Sequence, residues 1–409
     1  MRILYLSQYF PPEIGATQNR AYEMASNLID LGHSVTMLTE IPNHPSGIIP
    51  PQYRHKIFER STLSGIEVIR TWVYATPNKT FRRRMLFYIS FMVNATFAGA
   101  LLVKGQYDII YATSPPLFVG AAAIALSKIK GIPLVFEVRD LWPGSAIELG
   151  ELKNHLAIKW ATRLEHACYN KATKIIVVTN GTKDHLVARG IPENKLDVIP
   201  NGANTELFKY NPIARELIRH RLGLADKFVV IYAGIHGIAQ GLDTVIEAAG
   251  ELRDHDDIFF LFVGEGPKKS HLQLTAVEQN LSNVLFIDEQ PRETIPDYLS
   301  ASDVALVPLR RAELFKIVLP SKLFDAWACE RPVLLSVEGE AKHILETAQG
   351  GLVITPEDPE ELISALKVLK SSVEYRQNLG QNGRLFTHKY YSRRSQAEKL
   401  SIILEGLSR

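Results

Sequence analysis

Along this chain, short apolar runs alternate with amphipathic segments in two series, separated by a stretch dense in turn residues. In the first series, residues 3–6, 34–38, 67–70, 108–111, 134–138 and 174–178 read as strands. Residues 17–31, 117–130 and 155–172 read as helices, with apolar positions three and four apart. Nearly continuous apolar strands are those covered by helices on both faces, so the pattern predicts a parallel, doubly wound sheet. The second series repeats it, with strands at 228–232, 258–263, 284–287, 304–308, 333–335 and 352–354 and helices at 242–252, 272–279, 295–300 and 341–349. Beyond Asp358 the pattern is helical, ending in a helix near 395–407. Between the series, residues 179–208 mix short apolar pieces with Thr179-Asn180-Gly181 and Pro200-Asn201-Gly202, which marks an interdomain connection. The expected class is α/β: two Rossmann-like doubly wound domains, 1–198 and 199–390, facing across a cleft, with 391–409 crossing back to the first.

Length agrees, since 409 residues suit two cores better than one. With 46 basic against 44 acidic residues there is no global field of the kind that marks a nucleic-acid binder. The two cysteines, Cys168 and Cys329, lie in apolar helical segments and read as buried free thiols of a reducing compartment. One segment changes the picture. Residues 85–103 carry no charge, follow Arg82-Arg83-Arg84 and precede Lys104, which approaches the signature of a membrane span. A span would put parts of one sheet on opposite sides of a bilayer, so two readings remain. The segment is a buried helix covering the sheet, or it is partly exposed and docks, with Lys79, Arg82, Arg83 and Arg84, on anionic lipid.

Right-handed crossovers place ligands at the carboxyl ends of the strands, and several of those ends carry chemistry. After the first strand come Glu13 and Gly15, the glycine able to bring backbone close to a ligand at a helix start; an ordinary turn is the alternative. After residues 134–138 come Arg139, Asp140 and Trp142, a cleft cation, acid and aromatic, or an internal Arg139–Asp140 salt bridge. In the second half, the turn holding Gly234, His236, Gly237, Gln240 and Gly241 follows a strand and precedes a helix, as an anion cradle does. Gly264-Glu265-Gly266-Pro267 closes the next strand. Finally Pro320 ends an apolar run, Ser321 offers an N-cap hydroxyl, and Lys322 and Asp325 share one face of the helix that follows. The helix start and Lys322 suit a phosphate and Asp325 suits vicinal hydroxyls, which together suggest a nucleotide. Asp254-His255-Asp256-Asp257 reads as a solvated acidic turn, and no histidine spacing suggests a metal site.

The ordered set of Gly234 to Gly241, Gly264-Glu265-Gly266-Pro267, Ala301-Ser302-Asp303, Pro320-Ser321-Lys322, Asp325, Arg331-Pro332-Val333 and Gly350-Gly351 resembles the retaining GT-B glycosyltransferases of glycosyltransferase family four. Gly32-His33-Ser34-Val35-Thr36 and Val198-Ile199-Pro200-Asn201-Gly202 agree, and the resemblance spans the chain. It implies a nucleotide-sugar donor in the second domain, an acceptor in the first, and retention at the anomeric carbon. Donor contacts then fall to Gly15, Gly234, His236, Gly237, Gln240, Gly266, Pro320, Ser321, Lys322, Leu323 and Asp325, and acceptor contacts to Glu13, Arg20 and Trp142. Lys322, Arg139 and Asp140 become the catalytic candidates, with no metal or other cofactor required.

The chain departs from that family at four points. Ile317 stands where the family has a glutamate, with Glu313 or Lys316 as substitutes; Ile235 and Gln240 replace an arginine and a lysine; Arg139-Asp140 replaces a His-Asp pair. These departures resemble a subgroup that builds bacterial surface polysaccharide, such as O-antigen or capsule. That subgroup moves an N-acetylated amino sugar such as N-acetyl-fucosamine from UDP to a polyprenyl-diphosphate-linked sugar. The implied location is the cytoplasmic face of the bacterial inner membrane, in peripheral contact with anionic lipid. Two alternatives stay open: a UDP-sugar 2-epimerase of similar architecture, or a non-catalytic sugar-nucleotide-binding subunit.

Overall fold

The computed structural model describes residues 1–13, 15–78, 80–148, 150 and 152–407, which divide into two units. The first comprises Met1–Pro200 and the chain from Arg393 onward, the second Asn201–Ser392.

In the first unit the strands are β1 (Arg2–Leu6), β2 (Ser34–Glu40), β3 (Phe58–Leu63), β4 (Ile66–Thr71), β5 (Ile109–Ser114), β6 (Leu134–Val138), β7 (Lys174–Val177) and β8 (Leu196–Val198). Among the described residues they form one sheet in the order β3-β4-β2-β1-β5-β6-β7-β8. All neighbours are parallel except β3, which pairs antiparallel with β4 at the edge. Helices α1 (Ala16–Asp30), α2 (Phe81–Leu101), α3 (Phe118–Lys130), α4 (Gly144–Glu148), α5 (His155–Lys171) and α6 (Asn180–Ala188) connect them. Strand order reverses between β1 and β5.

One strand is added and one expectation corrected here. The four consecutive polar residues of β3, Glu59 to Thr62, hid an edge strand whose side chains are exposed or half-buried. Thr179-Asn180-Gly181, expected as a turn, opens α6: the Thr179 hydroxyl accepts from the Thr182 amide at 3.0 Å, as an N-cap does.

In the second unit, β9 (Phe228–Ala233), β10 (Ile258–Val263), β11 (Val284–Ile287), β12 (Val304–Pro308), β13 (Val333–Ser336) and β14 (Gly351–Val353) form a parallel sheet in the order β11-β10-β9-β12-β13-β14. Its helices are α7 (Pro212–Leu222), α8 (Leu242–Glu251), α9 (Lys269–Glu278), α10 (Ile295–Ala301), α11 (Ser321–Ala328), α12 (Glu340–Ala348), α13 (Pro359–Ser371) and α14 (Val373–Tyr390). The two-residue period of a strand sends Val229 and Ile231 into a layer with Leu323, Phe324 and Trp327 of α11. Val230 and Tyr232 go to the opposite layer, with Leu242, Val245 and Ile246 of α8. Both faces of the sheet are thus covered, as the unbroken apolar strands require. The final helix, α15 (Arg393–Leu407), packs Ala397, Leu400 and Leu404 against Ala21, Met24, Ala25 and Leu28 of α1, in the first unit's core.

Candidate functional site

In the second sheet the strand order turns back between β9 and β12, and the loops leaving their carboxyl ends define the site. Gly234 follows β9 at φ +147°, and a Cβ there would lie 2.1 Å from Cε and 2.7 Å from Nζ of Lys322. Gly264 follows β10 at φ +138°, and its Cβ would lie 2.1 Å from the Gly234 carbonyl oxygen. The two turns are also hydrogen-bonded: the Gly234 amide donates to Val263 O at 2.8 Å and the His236 amide to Glu265 O at 2.8 Å. Without side chains at these positions the turns nest, and the Lys322 stem lies against bare backbone.

Lys322 is in the first turn of α11. Its ammonium lies 5.7 Å from the centre of the Tyr232 ring. Burial pulls its pKa below the ordinary lysine range, with Asp325, three residues on, opposing. A cation in the first turn of a helix is an arrangement that a diphosphate would complete. The cap differs from expectation, since Pro320 is the N-cap and makes no side-chain cap bond, while Ser321 is the first helical residue. Leu323 is fully buried in the core, so only its backbone can face a ligand. His236 is likewise corrected. Its ring is completely buried among Tyr232, Phe262 and Phe286, and burial, with Lys269 adding, pulls its pKa to about 4. It therefore shapes the turn as a neutral wedge, and its carbonyl fills the space where a Gly266 Cβ would stand, 2.4 Å away. Gln240 folds back on its own turn, with Oε1 2.5 Å from where a Gly237 Cβ would lie.

Ile317 ends the 3-10 turn Glu313–Ile317. Glu313 and Lys316 pair with each other at 2.7 Å on the surface, and Lys316 also lies 3.7 Å from Glu338. Sequence reasoning missed two supports. Lys269, nearly buried, bridges Glu265 and Asp288 at 2.5 Å each. The Tyr232 hydroxyl donates to the Ile235 carbonyl at 2.6 Å. A polar-tipped aromatic next to last in an otherwise apolar strand was the available signal for the second.

In the first unit, the carboxyl ends of β1, β5 and β6 surround a buried polar cluster. Arg20, expected on the acceptor side, is 1% exposed and belongs to the core of this cluster. Its guanidinium donates to Glu137 at 2.8 and 3.0 Å and to the carbonyls of Ile199 and Pro200 at 3.0 Å each. Burial would raise the Glu137 carboxyl, but Arg20, Arg139 and the Thr113 hydroxyl outweigh it and hold its pKa below the usual range. Arg139 leaves the end of β6 with Nε and Nη1 unpartnered among the described residues, and burial pulls its pKa to about 10. It makes no ion pair with Asp140, whose carboxylate accepts from Ser145 at 3.0 Å.

Gly15 is the N-cap of α1 at φ +154°. Trp142 is half-buried between β6 and α4. Glu13 is buried and accepts from the amides of Asn43 and His44 at 2.7 Å each, so it organises the loop after β2. Arg82 and Arg83 are exposed and Arg84 half-buried at the start of α2; Lys79 lies outside the described residues. Among the described residues no group of three or more His, Cys, Asp and Glu side chains converges as a metal site.

The profile of the "Glycosyl transferase 4-like domain" matches residues 15–202, and that of "Glycosyl transferases group 1" matches residues 214–386, which takes in the glycine turns and Lys322. The chain is a GT-B glycosyltransferase. It is 26% identical over 375 residues to the putative colanic acid biosynthesis glycosyl transferase WcaI of Escherichia coli K12, spanning 90% of this chain and 91% of that one. In structure it is similar to sucrose-phosphate synthase from Thermosynechococcus elongatus, at a TM-score of 0.79 and 19% identity over 99% of this chain and 98% of that one. It is also similar to Anabaena Alr3699/HepE in complex with UDP-glucose, at a TM-score of 0.75 and 17% identity over the whole of both chains. Both likenesses to solved structures concern the GT-B fold.

Proposed function

We propose that this glycosyltransferase acts in surface polysaccharide assembly, moving an N-acetylated amino sugar from UDP to a polyprenyl-diphosphate-linked sugar with retention at the anomeric carbon. The observation that carries the donor side is Lys322 held against Gly234 at the start of α11. There a diphosphate would receive an ammonium, amide groups and a ribose acceptor, Asp325, from one helix turn. The chain's relative WcaI, whose name refers to colanic acid biosynthesis, supports the polysaccharide role, and the UDP-glucose complex of a protein with this fold supports a nucleotide-sugar donor. In the reaction Lys322 would stabilise the departing diphosphate, worth on the order of 10²- to 10³-fold for one well-placed donor. The β-phosphate itself would take the proton of the incoming hydroxyl, so neither metal nor dedicated base is needed.

The membrane side rests on α2. Phe91, Ala95, Ala98 and Gly99 pack inward, Gly99 so closely that a Cβ would lie 2.5 Å from Leu126 of α3. Leu86, Ile89, Val93, Phe97 and Leu101, spaced three or four apart, form an exposed outer stripe beginning just beyond Arg82 and Arg83. On this reading the stripe and the arginines dock on an anionic cytoplasmic leaflet.

The test is UDP release from a panel of UDP-N-acetyl sugars, with and without a polyprenyl-diphosphate-linked sugar, in EDTA and in manganese. Acceptor-dependent release that EDTA leaves intact is expected. Sugar interconversion without acceptor, or turnover restored only by manganese, would overturn the reading.

A further inference from the structure

A pocket of about 230 Å³ lies wholly within the first unit, where the segments after β1, β2 and β4 meet the start of α2. Its wall is aromatic: Tyr9 lies 4.9 Å from His44 and 6.4 Å from Phe87 between ring centres, and Phe87 lies 5.5 Å from Tyr88. Arg83 and Arg84 line the same pocket. The loop that carries His44 is fixed from beneath, because Glu13 accepts both of its leading amides and the Asn43 side chain donates to Glu40 at 2.8 Å. On the far side, Gly47 lies so close to Thr76 that a Cβ would stand 2.1 Å from its carbonyl oxygen. The pocket is therefore built before any ligand arrives. Its volume is below the ~300–1,000 Å³ usual for drug-sized ligands, and suits one sugar ring with a charged group better than a nucleotide. From its rim, at Phe87 and Tyr88, the outer stripe of α2 runs from Leu86 to Leu101, about 22 Å at 1.5 Å per residue.

Aromatic faces, two guanidiniums and an adjoining apolar track are the three parts of one ligand. We infer that this pocket holds the sugar-diphosphate head of a polyprenyl-linked acceptor. The sugar ring lies against Tyr9, Phe87 and Tyr88, the diphosphate on Arg83 and Arg84, and the first isoprene units along the α2 stripe. The inference rests on the acceptor class proposed above, but not on the donor site at Lys322.

The experiment titrates the full-length protein by calorimetry with a short-chain prenyl-diphosphate-linked N-acetylglucosamine, and separately with UDP and with inorganic diphosphate. In the variant Arg83→Gln/Arg84→Gln the prenyl-linked sugar should bind at least tenfold more weakly while UDP affinity is unchanged. Phe87→Leu, which removes the ring and keeps an apolar side chain at a half-buried position, should weaken the same ligand alone. Inorganic diphosphate, lacking ring and lipid, should compete poorly. Equal affinity of the prenyl-linked sugar for wild type and both variants, or a parallel loss of UDP affinity, overturns the assignment. Failure of prenyl-sugar binding with UDP binding intact sinks this pocket and the acceptor class together, and leaves the donor site standing. Binding of the prenyl-linked sugar without any sugar transfer sinks the transferase reading and leaves the pocket standing.

Discussion

Replacing Gly234 with alanine tests the donor-side geometry at a single carbon atom. The new methyl would stand 2.1 Å from Cε of Lys322, where non-bonded carbons need about 3.5–4.0 Å. The lysine is the flexible partner, so it yields, and its ammonium moves by about 1.5 Å. A displacement of that size at a charge-stabilising group costs on the order of 10²-fold in turnover. Lys322→Ala, which removes the group, should cost about 10²- to 10³-fold. The two losses have one cause, so they should not add. In the Lys322→Ala background the three nearest atoms to the methyl are gone, and Gly234→Ala should change turnover by less than about threefold, a coupling near 2 kcal/mol. Strain at φ +147° remains in both backgrounds and would appear in thermal melts, at about 1–3 kcal/mol, rather than in turnover. The assay is kcat for UDP release in the four proteins of the cycle, with UDP affinity by calorimetry as a second readout. Additive losses would refute the reasoning, since Gly234 would then act on something other than the lysine.

Two further outcomes follow from buried charge. Arg20→Ala leaves Glu137 buried without its main partner and should destabilise the first unit by about 3–5 kcal/mol in urea unfolding; a change below 1 kcal/mol would show the pair to be replaceable. The pKa of Lys322 lies below the ordinary 10.5, and only its ammonium form attracts a diphosphate. UDP affinity should therefore fall as pH rises through that lowered value, and Lys322→Gln should remove this step from the calorimetric pH profile. A step that survives the substitution would belong to another group.

The parallel strands of both units are legible in the chain because burial on both faces forces unbroken apolar runs, and 134–138 and 258–263 coincide with β6 and β10 to the residue. Edge and surface elements lack that constraint. β3 is polar at its four middle positions and pairs on one side only, and the start of α6 is written in the Thr179 cap rather than in periodicity. In the site, the meeting of Gly234, Gly264 and Lys322 is legible because turns that approach this closely leave no room for a Cβ. Arg20, His236 and Leu323 are not, since a sequence shows what a side chain can bind and not which way it points. Arg20 turns inward because its helix face is the one that meets β6 and the carbonyls of Ile199 and Pro200. His236 becomes a wedge because its ring packs among those of Tyr232, Phe262 and Phe286.

The chain leaves the first unit at Pro200 and re-enters it at Arg393. During synthesis this inverts the usual order, in which amino-terminal domains finish folding first. The strip of α1 formed by Ala21, Met24, Ala25 and Leu28 stays bare until α15 has left the ribosome with Ala397, Leu400 and Leu404. The second unit, one contiguous stretch, can close on itself earlier. A nascent chain halted at Ser392 would carry all of the second unit and an unfinished first one, and the Arg393–Glu23 ion pair at 3.0 Å is a bond that forms only once synthesis has passed the start of α15.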